Sequence, residues 1–214
     1  MLGDERISSF IESLDRGGSD ILNTIEKEAL ADEVPIIRKE TQSLLRYLVA
    51  AHRPDKILEV GTATGFSGIL MWEASGKQVK ITTIEKYEKR IPEARRNFER
   101  AGAENHITLL EGDALEILGA MEGEFPFIFM DAAKAQYINF LPDVTRLLAK
   151  GGILVTDNVL KGGDICESRY AVTRRDRTIH TRMREYLYEL THSDTYETVV
   201  LNNGDGVALS VKIK

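Results

Sequence analysis

From residue 56 onward, short apolar segments typical of buried strands alternate with segments of helical periodicity. We predict strands at 57–60, 79–84, 107–110, 126–130 and 152–156, separated by helices near 66–74, 89–101, 114–120 and 135–149. This alternation is the pattern of a doubly wound α/β fold, in which helices cover both faces of a parallel sheet. Ligands of such folds bind at the carboxyl ends of the strands, near the point where the strand order reverses. The residues that follow each strand are therefore the first candidates for function.

The segments that flank this pattern predict a helical cover and an antiparallel edge. We predict N-terminal helices at 4–16 and 19–31, the second behind a possible Ser19 cap, and a third that ends near His52. At the other end we predict a helix near 174–191 and a hairpin of two strands at 196–201 and 207–213. The expected fold is thus a mostly parallel seven-stranded sheet in a single domain over 1–214. Residues 1–54 form its N-terminal helical cover and residues 55–214 form its α/β core.

The composition of the 214 residues, 43% hydrophobic and 29% charged, suits a chain with a full hydrophobic core. A net charge of −6 argues against a protein that coats nucleic acid through its overall charge, but is compatible with a local basic patch. The lone cysteine, Cys166, excludes a disulfide within this chain and a cysteine-based metal cluster. No apolar run reaches the roughly 18 residues of a membrane span, and Met1–Arg6 lacks the pattern of a secretion signal. We therefore expect a cytoplasmic protein without membrane contacts.

The first predicted strand leads into a turn that contains Gly61 and Gly65, and then into a helix. Glycines at such a junction let the backbone approach a ligand, and the free N–H groups of the first helical turn point the same way. The spacing differs from the G-x-G-x-x-G dinucleotide motif and from the P-loop. The turn therefore predicts a ligand site of another type, or glycines that serve only the geometry of the turn.

The second and third predicted strands end in acidic residues that each have two possible roles. Glu85 lies where doubly wound folds place a carboxylate against the hydroxyls of a ribose, and we favour that role. Alternatively, Glu85 is a solvated acid or the cap of the helix that Pro92 helps to start. Asp113 and Glu116 have the spacing of a capping box, which by itself explains Asp113.

The fourth and fifth predicted strands end in Asp131 and in Asp157-Asn158. A single aspartate at a strand end is most often only a polar terminator. Because neighbouring parallel strands end at one edge, however, these two carboxylates and one amide oxygen can surround a single hard cation. Crowded carboxylates repel one another unless a cation lies among them. An oxygen-only set with room for water suits Mg²⁺ better than a soft metal.

Several motifs together resemble the metal-dependent O-methyltransferases of the catechol O-methyltransferase-like family, over nearly the whole chain. These motifs are the Glu59–Ser67 turn (E-x-G-x-x-x-G-F-S), Glu85, Asp131-Ala-Ala-Lys134 and Asp157-Asn-Val159. The resemblance implies a Rossmann-like fold, S-adenosylmethionine as methyl donor, and Mg²⁺ bound by Asp131, Asp157 and Asn158. The cofactor contacts that it implies are Ile37, Glu59, Gly61, Ser67, Glu85, Asp113, Ala114 and Asp131. Ile37 is equally well explained as a core residue, and Ala63 stands where many methyltransferases have a glycine, which this family tolerates.

The resemblance also places Lys134 beside the acceptor hydroxyl, so we expect Lys134 and Asp131 to be catalytic residues. Methyl transfer from a sulfonium to oxygen needs an oxyanion, because a neutral hydroxyl is a poor nucleophile. A cation that binds this oxygen lowers its pKa, and Lys134 can act as the base if it loses its own proton. The alternative for Lys134 is a solvated lysine at the start of a helix.

A metal that binds the nucleophile favours acceptors with two neighbouring oxygens, such as catechols or 5-hydroxyuridine. Residues 161–184 contain seven basic and three acidic side chains, a balance of +4. Because the whole chain has a net charge of −6, the remaining residues together carry −10. Such a concentration of positive charge beside the predicted metal site is what phosphate contact requires, although a solvated helix surface explains it equally well. The candidate RNA contacts are Arg169, Arg174, Arg175 and Arg177.

Three segments resemble the bacterial tRNA 5-hydroxyuridine methyltransferases, which produce 5-methoxyuridine at the wobble position. They are Asp131–Tyr137, Asp157–Gly162 together with the arginines that follow, and Asn203–Leu209. We therefore predict tRNA as the substrate, with a small catechol or phenol as the alternative acceptor. Relatives of this type are often dimers, which makes a homodimer the expected state.

Overall fold

Seven strands form one mixed sheet in the computed structural model, which describes residues 2–214 apart from the side chains of residues 2–5 and 8. The strands are β1 (Lys56–Val60), β2 (Lys80–Glu85), β3 (Ile107–Glu111), β4 (Phe125–Met130), β5 (Leu148–Thr156), β6 (Tyr196–Leu201) and β7 (Val207–Lys212). The helices are α1 (Leu2–Ser13), α2 (Asp20–Ala31), α3 (Lys39–His52), α4 (Phe66–Ala74), α5 (Ile91–Ala101), α6 (Ala114–Ala120), α7 (Tyr137–Leu147) and α8 (Arg177–His192). Short 3₁₀ turns cover Lys134–Gln136 and Lys161–Cys166.

The strand order is β3-β2-β1-β4-β5-β7-β6. Strands β1 to β5 pair in parallel, whereas β7 pairs antiparallel with both β5 and β6. The predicted doubly wound, mostly parallel sheet with a C-terminal antiparallel hairpin is therefore confirmed. The order reverses between β1 and β4, so the loops after these two strands border the crevice where such folds bind ligands.

Backbone hydrogen bonds hold the ends of four neighbouring strands in register. Val60 pairs with Met130, and Met130 pairs with Thr156. The ladder continues one residue further, because the amides of Gly61, Asp131 and Asp157 donate to carbonyls of the neighbouring strands over 3.0–3.1 Å. The side chains that follow β1, β4 and β5 are therefore presented side by side, as parallel pairing predicts.

Apolar side chains fill the space on both faces of the sheet. On one face, Ile57 and Phe127 pack in a cluster with α2, α3, α4 and α5. On the other face, Leu58 and Ile128 pack in a cluster with α6, α7 and α8. Both faces are covered because every parallel strand lies between helices, which leaves the strand ends as the accessible edge.

Several predicted boundaries differ from the structure by one to four residues, and local features account for three of them. The helix predicted at 135–149 begins with a 3₁₀ turn and ends at Leu147. Strand β5 begins at Leu148 rather than at residue 152, because a register shift in β4 between Phe125 and Phe127 lets Leu148 pair with Phe125. Helix α8 begins at Arg177 rather than at residue 174, since Thr173 and Asp176 close a turn before it.

The apolar residues that recur at helical spacing in the predicted helix at 4–16 lie at the surface. Ile7, Phe10, Ile11 and Leu14 are 59%, 64%, 49% and 63% exposed. The helix forms with the expected periodicity, but its apolar side is not covered by the rest of the described chain. By contrast, the predicted Ser19 cap is present, with the Ser19 hydroxyl accepting a hydrogen bond from Leu22 N–H. Among residues 2–214, no helix combines the length and apolar character needed to cross a bilayer.

Candidate active site

The turn between β1 and α4 is built against the backbone of β4. Gly61 has φ +104°, and a Cβ added to it would lie 2.0 Å from the carbonyl oxygen of Asp131. Gly65 has φ +83° and its added Cβ would lie 2.5 Å from the ring of Phe98. Only glycine provides both the conformation and the missing volume at these positions. The turn is therefore pressed against the strand end that carries Asp131.

Glu59 lies beneath this turn and is fully buried. Its carboxylate accepts hydrogen bonds from the hydroxyls of Ser67 at 2.5 Å and Thr83 at 2.6 Å. Burial raises the pKa of Glu59 to about 7, and the negative charges of Asp131 and Glu85 act in the same direction. Glu59 does not line either of the two main cavities formed by the described residues. The expected cofactor contact of Glu59 is thus corrected: it ties α4 to the sheet from behind the cavity wall.

The raised pKa of Glu59 predicts a measurable dependence of stability on pH. Because the folded protein holds this proton more tightly than the unfolded chain, the stabilisation is complete below pH 4.5 and is lost as pH rises through about 7. We expect the free energy of unfolding, relative to Glu59→Gln, to fall by roughly 3 kcal/mol between pH 4.5 and 8. Urea denaturation of both proteins across this range measures the difference, and parallel curves would contradict the assignment.

Two adjoining cavities lie along the strand ends and share Gly61, Ala63, Asp131 and Ala132. The acidic cavity, about 480 Å³, contains five further predicted site residues: Ile37, Ser67, Lys134, Asp157 and Asn158. The inner cavity, about 290 Å³, contains Glu85, Asp113 and Ala114. The structure thus brings together every predicted cofactor, metal and catalytic residue except Glu59. Ile37 is both 5% exposed and a cavity residue, so the two explanations given for it apply together.

Glu85 is tied to the backbone around it and caps no helix. Its carboxylate accepts hydrogen bonds from the amides of Ala63 at 2.8 Å, Tyr87 at 2.8 Å and Lys86 at 3.0 Å. The N-cap position of α5 is occupied by Arg90, whose side chain makes no capping hydrogen bond. Glu85 therefore fixes the turn after β1 while its carboxylate borders the inner cavity, where a ribose would need an acceptor.

Asp113 caps α6 by accepting a hydrogen bond from Leu115 N–H at 2.9 Å. This bond, together with Lys86 at 3.3 Å, holds the pKa of Asp113 below its usual value. The predicted capping box is only half formed, because the side chain of Glu116 makes no return hydrogen bond among the described residues. One carboxylate oxygen of Asp113 thus serves the helix, and the other faces Lys86 at the rim of the inner cavity.

Two carboxylates, half-buried Asp131 and buried Asp157, lie at the wall of the acidic cavity. Burial, together with the charge of Asp131, raises the pKa of Asp157 to about 7. Burial also raises the pKa of Asp131, against the opposing charge of Lys134. Within the described part of the chain, neither acid has a salt-bridge partner within 4.0 Å. Asp157 instead accepts hydrogen bonds from Asn158 N–H at 2.8 Å and the Thr41 hydroxyl at 3.5 Å.

This arrangement fits a hard cation. Residues 2–214 contain no group of three or more His, Cys, Asp and Glu side chains that could hold a metal. A cation here would therefore bind two carboxylates, the Asn158 amide oxygen and water, which is a set suited to Mg²⁺. Asn158 adopts a left-handed conformation, φ +59°, that asparagine tolerates better than most residues. The two unpaired acids and Asn158 all lie at the neighbouring ends of β4 and β5.

Two residues at the rim of the acidic cavity were not predicted from the sequence. Arg38, just before α3, forms an ion pair with Asp205 in the β6–β7 turn, with a nitrogen–oxygen distance of 3.0 Å. Asp205 also accepts hydrogen bonds at its carbonyl from Leu160 and Lys161, and its charge raises the pKa of Asp157. The only sequence signal was a Gly-Asp-Gly turn, which reads as ordinary hairpin chemistry.

Tyr137, also missed, connects the two acidic strand ends. Its hydroxyl accepts a hydrogen bond from Ala132 N–H at 3.2 Å and donates one to the carbonyl of Asp157 at 3.3 Å. The ring is fully buried against Tyr186. Tyr137 therefore sets the spacing between the loop that carries Asp131 and the loop that carries Asp157.

The basic residues of 161–184 divide into two groups. Lys161 pairs with Asp164 and Asp176, Arg182 donates to the carbonyl of Ala135, and Arg184 donates to that of Ile165. The second group is the four predicted RNA contacts, Arg169, Arg174, Arg175 and Arg177, which make no ion pair within the described part of the chain. None of these four lines either cavity. The segment is connected to the cavity residues in two ways: it begins three residues after Asn158, and Arg182 donates to the carbonyl of Ala135 in the turn that follows Lys134.

Comparison with known proteins agrees with this geometry. A family model described as O-methyltransferase matches residues 18–213. Catechol O-methyltransferase from Mycobacterium tuberculosis is 32% identical over 162 residues, which are 74% of each protein. The structure of a putative caffeoyl-CoA O-methyltransferase from Staphylococcus aureus superimposes with a TM-score of 0.86 at 31% identity, covering 99% of this chain and 100% of that one. An SAH-bound methyltransferase from Podospora anserina, 24% identical, shares the fold with a TM-score of 0.87 over 98% of this chain and 95% of its own. The matched span, the sheet order and the relatives together show that the chain belongs to the O-methyltransferase family.

Proposed function

We propose that the protein transfers a methyl group from S-adenosylmethionine, with Mg²⁺, to the 5-hydroxyl of 5-hydroxyuridine at the wobble position of tRNA. The observation that carries the catalytic part of this proposal is the pair of carboxylates, half-buried Asp131 and buried Asp157, that line one cavity with Lys134. The SAH-bound structures among the similar folds support the cofactor. Because the inner and acidic cavities adjoin at Gly61 and Asp131, one cofactor that extends through both can bring its methyl group to an acceptor in the acidic cavity.

The cofactor is expected to span both cavities. Its adenosine lies in the inner cavity, where Glu85 accepts from the ribose hydroxyls and Asp113 and Ala114 lie beside the base. Its methionine part lies in the acidic cavity under Ile37, near Ser67 and the turn at Gly61. Asp131 borders both cavities and faces the sulfonium with a negative charge.

Bound Mg²⁺ supplies charge that lowers the pKa of an acceptor hydroxyl and fixes its direction. Asp131, Asp157 and Asn158 would hold it. Lys134, which lines the same cavity, is placed to accept the proton of the acceptor hydroxyl. The oxygen lone pair then forms the new C–O bond as the S–CH₃ bond breaks, and its electrons return to sulfur to give a thioether. Orientation of the two reactants contributes about 7–11 kcal/mol in well-aligned systems.

Two observations bear on whether the methyl acceptor is an RNA or a small phenol. Four arginines without an internal ion pair lie on the segment that begins three residues after Asn158, which supports an acceptor with phosphates. The catechol and caffeoyl-CoA O-methyltransferases among the relatives favour a small phenol instead. Both kinds of acceptor present two neighbouring oxygens to a cation, so the metal site alone does not distinguish them.

A competition between acceptors tests this point. With labelled S-adenosylmethionine and Mg²⁺, we expect transfer to an anticodon stem-loop that contains 5-hydroxyuridine at a higher kcat/KM than to catechol. Reversing the charge of Arg174 and Arg175 to glutamate should lower kcat/KM for the RNA by about tenfold or more, with a weaker salt dependence. The matched control reverses Lys56 and Lys150, two exposed lysines at the opposite edge of the sheet. Transfer to catechol alone would make the RNA acceptor wrong.

A further inference from the structure

Tyr170 lies at the surface, in the segment that follows the predicted metal site. At this position its ring does not pack in the hydrophobic core. Its side chain is 86% exposed. The guanidinium carbon of Arg177 lies 6.0 Å from the centre of the ring, within the range of a cation–π contact. Arg169, Arg174 and Arg175 are also exposed in the same segment. We call these five residues the tyrosine–arginine surface.

The backbone that presents Tyr170 is fixed at several points. Ile165 and Val172, which precede and follow Tyr170 in the sequence, are buried at 3% and 7% exposure. Arg184 donates to the carbonyl of Ile165 at 3.0 Å, and the His180 ring lies 3.0 Å from the carbonyl of Glu167. A further turn brings the amide of Ala171 to the carbonyl of Ser168 at 2.8 Å. The ring is therefore held outward by an anchored loop, and little conformational entropy would be lost when a planar group stacks on it.

The position of Tyr170 relative to the cavities restricts what can touch it. Tyr170 does not line the acidic cavity that contains Asp131, Lys134 and Asp157. A small phenol whose hydroxyl lies at those residues has no other ring to place on Tyr170. A nucleic acid differs, because a nucleotide in the cavity is followed along the chain by further bases and phosphates. Single-stranded RNA is recognised by stacking of bases on aromatic rings and by arginines that contact phosphates.

Building on the proposed function, we infer that the tyrosine–arginine surface is a stacking site for an unpaired nucleobase of the RNA loop that carries the nucleotide being methylated. The base lies on the open face of Tyr170. Arg177 supports the ring and, with Arg169, Arg174 and Arg175, contacts the flanking phosphates. An acidic peptide would satisfy the arginines but has no planar group for the ring, so the combination favours a single-stranded RNA loop.

The test compares Tyr170→Ala with Tyr170→Phe, which keeps the ring and loses only the hydroxyl. The probe is the anticodon stem-loop with 5-hydroxyuridine, and its affinity is measured by fluorescence anisotropy in the presence of SAH. We expect Tyr170→Ala to weaken binding by about tenfold or more, since one base–aromatic stack contributes at that scale, and Tyr170→Phe to match the wild type. The control is Tyr188→Ala, because Tyr188 is also 60% exposed but stacks on His192. Calorimetric SAH affinity reports that each variant is folded.

The outcomes separate this inference from the proposed acceptor. Equal RNA affinity and equal methylation by Tyr170→Ala and the wild type would overturn the stacking site and leave the RNA acceptor standing. If the wild type neither binds nor methylates the stem-loop, both ideas fail together. Equal competition by a polyglutamate peptide and by the stem-loop would show that the arginines bind acidic chains in general, which also overturns the inference.

Discussion

Replacing Asp157 with asparagine is expected to reduce methyl transfer on the order of a thousandfold, because several kcal/mol of charge stabilisation is lost with the cation. Asparagine keeps the size of the side chain and an acceptor oxygen, so the change removes little except the negative charge. The free energy of unfolding at pH 8 should stay equal or rise, since a buried carboxylate without a cationic partner is itself destabilising. Loss of activity without loss of stability separates a metal ligand from a structural residue.

The measurements are the initial rate with saturating Mg²⁺, the rate in excess EDTA and urea denaturation without metal. Asp143→Asn provides the control, because Asp143 pairs with Arg146 on α7 and lines neither cavity. SAH affinity of Asp157→Asn should remain within a few-fold of the wild type. Full activity of Asp157→Asn, or of the wild type in EDTA, would remove the metal from the proposed mechanism.

The main site was predictable because it depends on local rules. Alternation of strands and helices implies parallel strands, and parallel strands present their next residues at one edge. Asp131, Asp157 and Asn158 could therefore be grouped from sequence alone. By contrast, the Arg38–Asp205 pair joins residues from opposite ends of the chain. No periodicity or spacing encodes such a contact, because it depends on how the helical cover meets the C-terminal hairpin.

Glu59 shows that membership of a sequence motif predicts the location of a side chain less well than the side of the strand on which the residue lies. It belongs to the turn motif, but successive residues of a strand face opposite sides of the sheet, and the side that Glu59 faces is covered by α4. The side chain is consequently buried under the turn rather than exposed at its top. The exposed apolar residues of α1 show a second limit of sequence patterns. Periodicity predicts a helix, but it does not predict what covers the apolar side of that helix.

The net charge of 161–184 was likewise predictable from the sequence, but which of its basic side chains form contacts within the fold was not. A balance of +4 does not reveal that Lys161, Arg182 and Arg184 are used within the fold, whereas four other arginines have no internal ion pair. Side-chain pairing depends on the path of the 3₁₀ turn and on where α8 begins. The four arginines named from the sequence are those that the structure leaves without an ion pair, and the structure adds one exposed tyrosine, Tyr170, to the same segment.

Replacing Gly61 with alanine is expected to destabilise the protein by about 4 kcal/mol or more, a size seen only when a buried contact is severely disrupted. The new Cβ would lie 2.0 Å from the carbonyl oxygen of Asp131. That carbonyl has little freedom to retreat, because the amide of Asp131 is bonded to Val60 and that of Asp157 is bonded to Met130. Relief of the clash must therefore separate β1 from β4 at the point where the two cavities meet, so SAH binding should be lost as well.

Gly76→Ala isolates the clash from the cost of the backbone conformation. Gly76 also has a positive φ, +71°, but an added Cβ meets nothing within 4 Å. Its replacement should cost only about 1 kcal/mol of unfolding free energy and leave SAH affinity unchanged. Urea denaturation and calorimetric SAH binding measure both variants. If Gly61→Ala were no less stable than Gly76→Ala and still bound SAH, the turn would not be pressed against Asp131, and the cofactor and the acidic strand ends would no longer share one wall.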